Sequence, residues 1–148
     1  MREILFRAKQ KDKGNWVEGY YIRQDETTYC FKEDCERHPE NTKHYIVFDM
    51  PTDWGLPNRH LMAEIDPETI CQYTGLKDKN GKRIWENDIV RIENSMDEGI
   101  GNIEFNCGMW YVDGEPSNSL YDIVEYDDIA EIEVIGNIFD DPELSKGE

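Results

Sequence analysis

The chain has 148 residues, with 33 acidic and 16 basic side chains and a net charge of −17 at pH 7. A chain of this length buries about 70% of its unfolded surface, which supports one hydrophobic core. Its apolar content of 38%, together with 11 glycines, is that of a globular protein. No run approaches the ~20 apolar residues of a membrane helix, and no secretory apolar region follows Met1, so we expect a cytoplasmic protein.

Strand patterns dominate the first part of the chain. Ile4 and Phe6 alternate with polar residues, residues 11–14 form a turn, and residues 16–23 return as a strand. Residues 24–60 are predicted to be an insertion. Within it, residues 27–32 and 44–48 have strand composition, and the polar stretch between them predicts a long loop on a hairpin.

The central stretch, residues 72–91 (QYTGLKDKNGKRIWENDIVR), is where turn chemistry and strand pattern agree best. Asp78, Asn80 and Gly81 suit a type I turn, because Asp is favoured at the first position and Gly enters the left-handed conformation freely. We therefore predict a β-hairpin with Asp78, Asn80 and Gly81 as its structural turn residues. A tighter two-residue Asn-Gly loop is the alternative.

Two pairs of residues are expected to fix the register of this hairpin. Asp78 and Lys82 would flank the loop as an opposite-charge pair, and Leu76 and Ile84 would face each other behind it. Such cross-strand pairs set which residues of the two strands meet.

Beyond the centre, short strand patterns continue to the end of the chain. Ile103 and Phe105 alternate with polar residues, residues 119–128 suit a helical turn as well as a strand, and residues 131–134 alternate as a half-buried strand. The order of these elements is similar to small SH3-like barrels, which is a fold-level analogy. The prediction is a mainly β, compact multi-hairpin protein with little helix. Its single domain spans 1–148, its central part is an SH3-like barrel or a small β-sandwich, and residues 145–148 form a frayed tail.

The same stretches carry a resemblance to a known family. Residues 72–81 (QYTGLKDKNG) followed by residues 85–90 (WENDIV) resemble the central signature of the YopX family, which comprises small proteins of phages, prophages and their bacterial hosts. Residues 4–7 with 16–21 resemble its opening, and residues 133–144 resemble its end. The resemblance implies a bacterial host cell. It implies no activity and no catalytic residues.

Three positions depart from the family pattern. Ala8, Cys71 and Asn87 stand where glycine is expected. Of the three, Asn87 comes nearest to glycine in its backbone preferences, because Asn tolerates a left-handed conformation.

Charge is distributed unevenly along the chain. Residues 1–91 contain 15 basic and 17 acidic side chains, whereas residues 92–148 contain one basic and 16 acidic side chains. This balance disfavours binding to a phosphate backbone, which requires clustered Lys and Arg. It favours either a solvated surface that maintains solubility or a surface that docks on a basic host or phage protein. The candidate contacts are an aromatic residue on the Pro-rich loop and four carboxylates: Trp54, Asp127, Asp128, Glu131 and Glu133.

Metal and thiol chemistry have weaker signals. A C-x4-C-x2-H-x5-H string could hold zinc, but its spacing meets only the outer limit of zinc sites, so we expect no metal ligands and no cofactor. The string consists of Cys30, Cys35, His38 and His44. A nucleophile pair such as Cys71 with His60 would require the two side chains to meet in space. The irregular cysteine spacing favours free thiols over a disulfide framework.

The sequence therefore favours a non-enzymatic phage or prophage accessory protein, a protein-interaction module with an acidic surface. It does not decide the question of enzymatic activity. A small hydrolase or nucleotide-modifying enzyme with Cys or carboxylate chemistry is the alternative, and a nucleic-acid-binding barrel is the least favoured. Assembly into a homo-oligomer is left open.

Overall fold

The computed structural model describes residues 1–51, 54, 57–93, 98–113, 118–125 and 131–145. Strands make up 56% of the structure and helices 13%, which confirms the prediction of a mainly β protein with little helix. The chain divides into two compact units. The N-terminal unit is Ile4–Ile70, and the C-terminal unit combines Met1–Glu3 with Cys71–Glu148. The predicted single domain with an insertion at 24–60 stays a prediction.

Four antiparallel strands and one short helix build the N-terminal unit. They are β1 (Phe6–Lys9), β2 (Trp16–Asp25), α1 (Lys32–Arg37), β3 (Thr42–Pro51) and β4 (Pro57–Glu64). The strands lie in the order β4-β3-β2-β1. One face of this sheet covers a core centred on Ala8, Ile46 and Ile65, each at most 1% exposed. Ala8 thus fills a core position in β1.

The predicted strand at 27–32 is wrong. The strand that pairs with β3 is β2, which runs on to Asp25 opposite Thr42. Residues 27–31 leave the sheet instead, and Asn41 donates a hydrogen bond to the Tyr29 hydroxyl at 2.7 Å. Helix α1 follows, with an ion pair of 3.4 Å between Lys32 and Glu36 one turn apart. The predicted strand at 44–48 is confirmed within β3.

The C-terminal unit contains a hairpin and a five-stranded sheet. The hairpin strands are β5 (Cys71–Lys77) and β6 (Arg83–Trp85). The sheet has the order β10-β9-β8-β7-β11. Its elements are β7 (Asp88–Glu93), β8 (Glu98–Asn106), β9 (Met109–Asp113), β10 (Asn118–Ser119) and β11 (Glu131–Asn137), with helix α2 (Leu120–Glu125) between β10 and β11. The ambiguous stretch at 119–128 therefore contains a helix.

The core of this unit lies on one face of the five-stranded sheet. Ile84 of the hairpin and Leu120 of α2, both fully buried, pack there with alternate residues of the sheet. Those residues are Val90, Ile103, Val112, Ile132 and Val134. The described strands form no closed barrel, so the barrel alternative for the central part is wrong.

Candidate functional site

The turn of the central hairpin is closed by two backbone hydrogen bonds. The Gly81 amide donates to the Asp78 carbonyl at 2.9 Å, and the Asp78 amide donates to the Lys82 carbonyl at 2.8 Å. Gly81 has φ +78°, the left-handed conformation that the sequence predicted. At the other end of β6, Asn87 has φ +64°, so the Asn that replaces an expected glycine does adopt that conformation.

The register behind the turn differs from the expectation. Tyr73 pairs with Trp85 and Lys77 with Arg83, and the register shifts between these pairs. Leu76 lies within the irregular stretch, so it does not oppose Ile84 in a regular register. Ile84 belongs to the core of the C-terminal unit, and the partly buried Leu76 packs against that core.

The Asp78 carboxylate acts as a backbone acceptor. One oxygen accepts the amide N–H groups of Asn80 at 2.9 Å and Lys82 at 2.8 Å, and the other accepts that of Val134 at 3.1 Å. The expected charge pair with Lys82 is thus replaced by a hydrogen bond from the Lys82 backbone. Asp78 is only 7% exposed, so these bonds satisfy a buried carboxylate.

Lys79 attaches the same turn to β11. Its amide donates to the Ile132 carbonyl at 2.9 Å, and its ammonium lies 3.1 Å from Glu131 and 3.5 Å from Glu133. The hydrogen bond to Glu131, together with the charges of both glutamates, raises the pKa of Lys79 above its ordinary value. The two predicted contact residues Glu131 and Glu133 are therefore partly neutralised by the central hairpin.

The register of the sheet extends these two glutamates into a larger surface. Glu93 on β7 pairs with Glu131 on β11 on one side and with Glu98 on β8 on the other. Directly opposed residues of an antiparallel sheet point to the same face, so three glutamates stand side by side across three strands. All three are exposed.

Further carboxylates continue along this face. Glu104 and Asp113, both exposed, lie on β8 and β9, opposite Tyr111 and Asn102 respectively. We call the solvent-facing carboxylates of this sheet the acidic face. They are Glu93, Glu98, Glu104, Asp113, Glu131 and Glu133.

Arg91 lies among the carboxylates of the acidic face. Arg91 pairs in register with Glu133 on β11 and with Ile100 on β8, and its Nε lies 3.2 Å from Glu98. Ile100 is 40% exposed. A depression of about 170 Å³ lined by Glu104, Asn106, Tyr111 and Asp113 adds an aromatic side chain to the face. The surface thus combines excess negative charge with the exposed Ile100 side chain and the partly exposed ring of Tyr111.

The structure places three of the five predicted contact residues. Trp54 is 89% exposed, Glu131 is exposed and Glu133 is half-buried. Asp127 and Asp128 lie outside the described residues. The sequence prediction missed Glu93, Glu98, Glu104 and Asp113. The polar positions of β8 alternate with Ile103 and Phe105, and this signal could have located Glu104 on the solvent side.

The residues of the zinc string have other partners. His44 contacts the Tyr21 hydroxyl at 2.7 Å, His38 contacts Glu40 at 2.8 Å, and Cys35 accepts a hydrogen bond from Arg23 at 3.7 Å. Within the described ranges, no three His, Cys, Asp or Glu side chains are grouped as a metal site would require.

The four cysteines, all within the described segments, form no disulfide bond. Cys71 is fully buried in β5 and accepts a hydrogen bond from Asn87 at 3.7 Å. His60, in the N-terminal unit, contacts Asp49 at 2.6 Å. Cys30 and Cys107 are exposed.

The fold and this surface define a mainly β protein with an acidic sheet face. Among the described helices, none has the length and apolar character needed to cross a membrane. The model of the YopX protein family matches residues 5–146, so the chain belongs to the YopX family, as the sequence resemblance implied.

Comparison with solved structures gives the fold alone. The chain is similar to the crystal structure of protein EF1440 from Enterococcus faecalis, with a TM-score of 0.51 and 22% identity. The match covers 99% of this chain and 100% of that protein. No curated protein sequence matches the chain.

Proposed function

We propose that this protein is a non-enzymatic phage or prophage accessory protein that binds a basic protein of the bacterial cytoplasm through its acidic face. Membership of the YopX family supports the phage or prophage setting, because the family is known from such genomes. The surface chemistry supports the mode of binding.

The observation that carries the proposal is the row of Glu131, Glu93 and Glu98 across three adjacent strands. Like charges directly opposite each other destabilise a sheet. Carboxylates that only kept the protein soluble would do so equally well if they were far apart on the surface. Placing three together is favourable when a cationic partner joins them, since the attraction then acts on all three at once.

The cations beside the row of three glutamates do not neutralise the acidic face. Lys79 contacts Glu131 and Glu133, and Arg91 contacts Glu98. These two cations face six carboxylates on the acidic face. A basic protein surface is therefore attracted, whereas the phosphates of a nucleic acid are repelled.

Trp54 supplies a candidate contact of a different kind in the N-terminal unit. Its side chain lies in the Pro-rich loop and is 89% exposed, so it is not part of a hydrophobic core. Exposed aromatic residues on loops are frequent contact residues at protein interfaces.

Affinity capture with matched charge variants tests the proposal. The test variant neutralises four residues of the acidic face: Glu93→Gln, Glu98→Gln, Glu104→Gln and Asp113→Asn. The control changes net charge identically at exposed positions elsewhere, with Glu33→Gln, Glu36→Gln, Glu68→Gln and Asp12→Asn. We expect phage-infected or lysogenic cell extracts to yield the same partner for the wild type and the control.

The test variant should lose that partner at physiological salt. Equal recovery by both variants would leave the acidic face as a solvated surface and would overturn the proposal.

A further inference from the structure

The depression between β8 and β9 lies on the acidic face, beyond the row of three glutamates. Its volume is about 170 Å³, and it is lined by Glu104, Asn106, Tyr111 and Asp113. Glu104 directly opposes Tyr111 across the two strands, and Asp113 follows Tyr111 two residues later on β9. Directly opposed residues, and alternate residues of one strand, share a face of the sheet. The partly exposed ring of Tyr111 therefore has carboxylates on two sides.

The carboxylates of the depression differ from their neighbours in their partners. Elsewhere on the acidic face, Arg91 and Lys79 form ion pairs with glutamates. Among the described residues, no such pair includes Glu104 or Asp113. The Oε1 atom of Glu104 accepts a hydrogen bond from the neutral side chain of Asn102 at 2.9 Å. Both exposed carboxylates can therefore accept hydrogen bonds from a cation of another molecule.

We propose that this depression binds an arginine side chain of the basic partner, an inference that rests on the proposed function of the acidic face. The guanidinium lies flat against the ring of Tyr111, and its N–H groups donate to Glu104 and Asp113. These two residues are diagonal neighbours across the strands, about 7–8 Å apart. A guanidinium has five N–H donors in one plane, so it can donate to carboxylates from two edges while its face covers a ring.

The same combination of groups occurs within the C-terminal unit itself. The guanidinium carbon of Arg83 lies 5.4 Å from the centre of the Tyr73 ring. Its Nη2 atom donates to the two carboxylate oxygens of Glu3 at 3.3 and 3.4 Å. A tyrosine ring and a carboxylate thus hold one guanidinium of this chain. The depression presents the same ring and two carboxylates to solvent, and the guanidinium that they hold comes from the partner.

The shape of the cationic group selects arginine over lysine. The ammonium of lysine is compact and strongly hydrated, and all three of its N–H donors are on one atom. It cannot cover the ring with a flat face and donate to both carboxylates from its edges. The depression therefore prefers arginine to lysine, although the two side chains carry the same charge.

NMR titration of the full chain with Nα-acetyl-arginine amide tests this subsite without the partner. Nα-acetyl-lysine amide, which carries the same charge, is the comparison, and the ionic strength is held constant. Titration to about 0.1 M covers dissociation constants on the order of 10 mM, which suit a compound of this size on an open surface.

The arginine compound should shift the ring signals of Tyr111 saturably. It should bind at least about twofold more tightly than the lysine compound, which is the scale of one exposed cation–π contact. Equal affinities of the two compounds, or shifts that do not saturate, would overturn the inference.

Substitutions separate the contribution of the ring from that of the charge. Tyr111→Phe keeps the aromatic face and should retain the preference for arginine, whereas Tyr111→Leu should abolish it. Glu104→Gln should weaken binding of the arginine compound about two- to fivefold, as loss of an exposed ion pair does. A preference for arginine that survives Tyr111→Leu would overturn the inference.

Glu93→Gln is the matched control for Glu104→Gln, because it removes the same charge from the same face. Glu93 opposes Glu98, which is six residues from Glu104 on β8, or about 20 Å at 3.3 Å per residue. At about 0.1 M salt, charges more than about 10 Å away are largely screened, so this control should leave arginine binding unchanged. Equal effects of the two substitutions would exclude the depression as the binding site. Both positions are exposed, so this pair decides the question even if Tyr111→Leu does not fold.

This titration and the capture of the partner can fail independently. If the preference for arginine is absent while the neutralised variant still loses the partner, the subsite is wrong and the proposed function stands. If the preference is present while the neutralised variant recovers the partner as the wild type does, the proposed function is wrong, and the depression binds arginine without serving that partner.

Discussion

The carboxylate of Asp78 accepts the backbone N–H of Val134 at 3.1 Å, across 56 positions of sequence. Together with the bond from the Lys79 amide to the Ile132 carbonyl, it attaches the turn of the central hairpin to the edge of β11. The edge of the sheet beside the acidic face is thereby covered, which removes backbone groups that could pair with another chain.

Replacing Asp78 with Ala should destabilise the protein by about 2–4 kcal/mol, because three backbone N–H groups lose their acceptor at a buried position. Denaturant unfolding measures the change. Asp12→Ala, in the exposed turn between β1 and β2, is the matched control and should change stability by less than about 0.5 kcal/mol. Equal effects of the two substitutions would show that Asp78 is an ordinary turn residue.

Replacing Gly81 with Val should cost more than about 1 kcal/mol, because a β-branched residue is forced to positive φ. A side chain at this position would meet no atom within 4 Å, so the cost arises from the backbone conformation alone. Gly81→Asn should cost less, since Asn tolerates this conformation. An unchanged melting temperature for the Val variant would contradict the turn geometry.

The Glu64 carboxylate should stabilise the N-terminal unit in a pH-dependent way. The hydrogen bond from Lys11 at 3.0 Å, together with the charges of Lys11 and Lys43, lowers the pKa of Glu64 below its ordinary value of 4.5. Its contribution is therefore fully present above pH 4.5 and is lost as the pH falls through the lower folded-state pKa.

Thermal unfolding of Glu64→Gln tests this sign. The variant should melt below the wild type at pH 7, and the difference should shrink as the pH falls below 4.5. A difference that stays constant with pH would mean that the carboxylate charge contributes nothing.

Replacing Glu93 with Gln should raise the stability of the protein and weaken its binding to the partner. Glu93 stands between Glu131 and Glu98, so removing its charge should stabilise the sheet by about 0.2–1 kcal/mol. The same change should weaken capture of the partner. A variant that is less stable than the wild type would show that the three glutamates do not repel one another.

Replacing Trp54 with Ala should leave the melting temperature unchanged, because the side chain is 89% exposed. If Trp54 contacts the partner, recovery of the partner should fall even so. A loss of stability would instead assign Trp54 a structural role.

The sequence was most informative about local structure, in which a residue interacts with residues close to it along the chain. The left-handed conformation of Gly81 depends on local backbone geometry and was predicted. For Asn87 the sequence showed only that Asn tolerates the left-handed conformation, which it adopts. The contact of Asp78 with Val134 could not be predicted, because it depends on how two distant segments pack. The strand predicted at 27–32 failed for a similar reason: pairing of β2 with β3 through Asp25 leaves those residues outside the sheet.

The residues of the candidate site also divide into those that the sequence predicted and those that it missed. Glu131 and Glu133 stood out because the second half of the chain is acidic, and this composition is visible without a structure. Their neighbours Glu93 and Glu98 belong to other strands. Only the register of β7, β8 and β11 shows that these residues stand side by side, and hydrophobic alternation does not fix which strands are neighbours.

The measurement that tests the acidic face most directly is the association rate with the captured partner, recorded by surface plasmon resonance over a salt series. The wild-type rate should fall steeply as the salt rises, because at about 0.1 M the screening length is already only about 10 Å. The variant neutralised at Glu93, Glu98, Glu104 and Asp113 should associate slowly at every salt concentration, while the charge-matched control follows the wild type. Wild-type and neutralised proteins that associate at the same rate, with the same salt dependence, would contradict a role for the acidic face in binding.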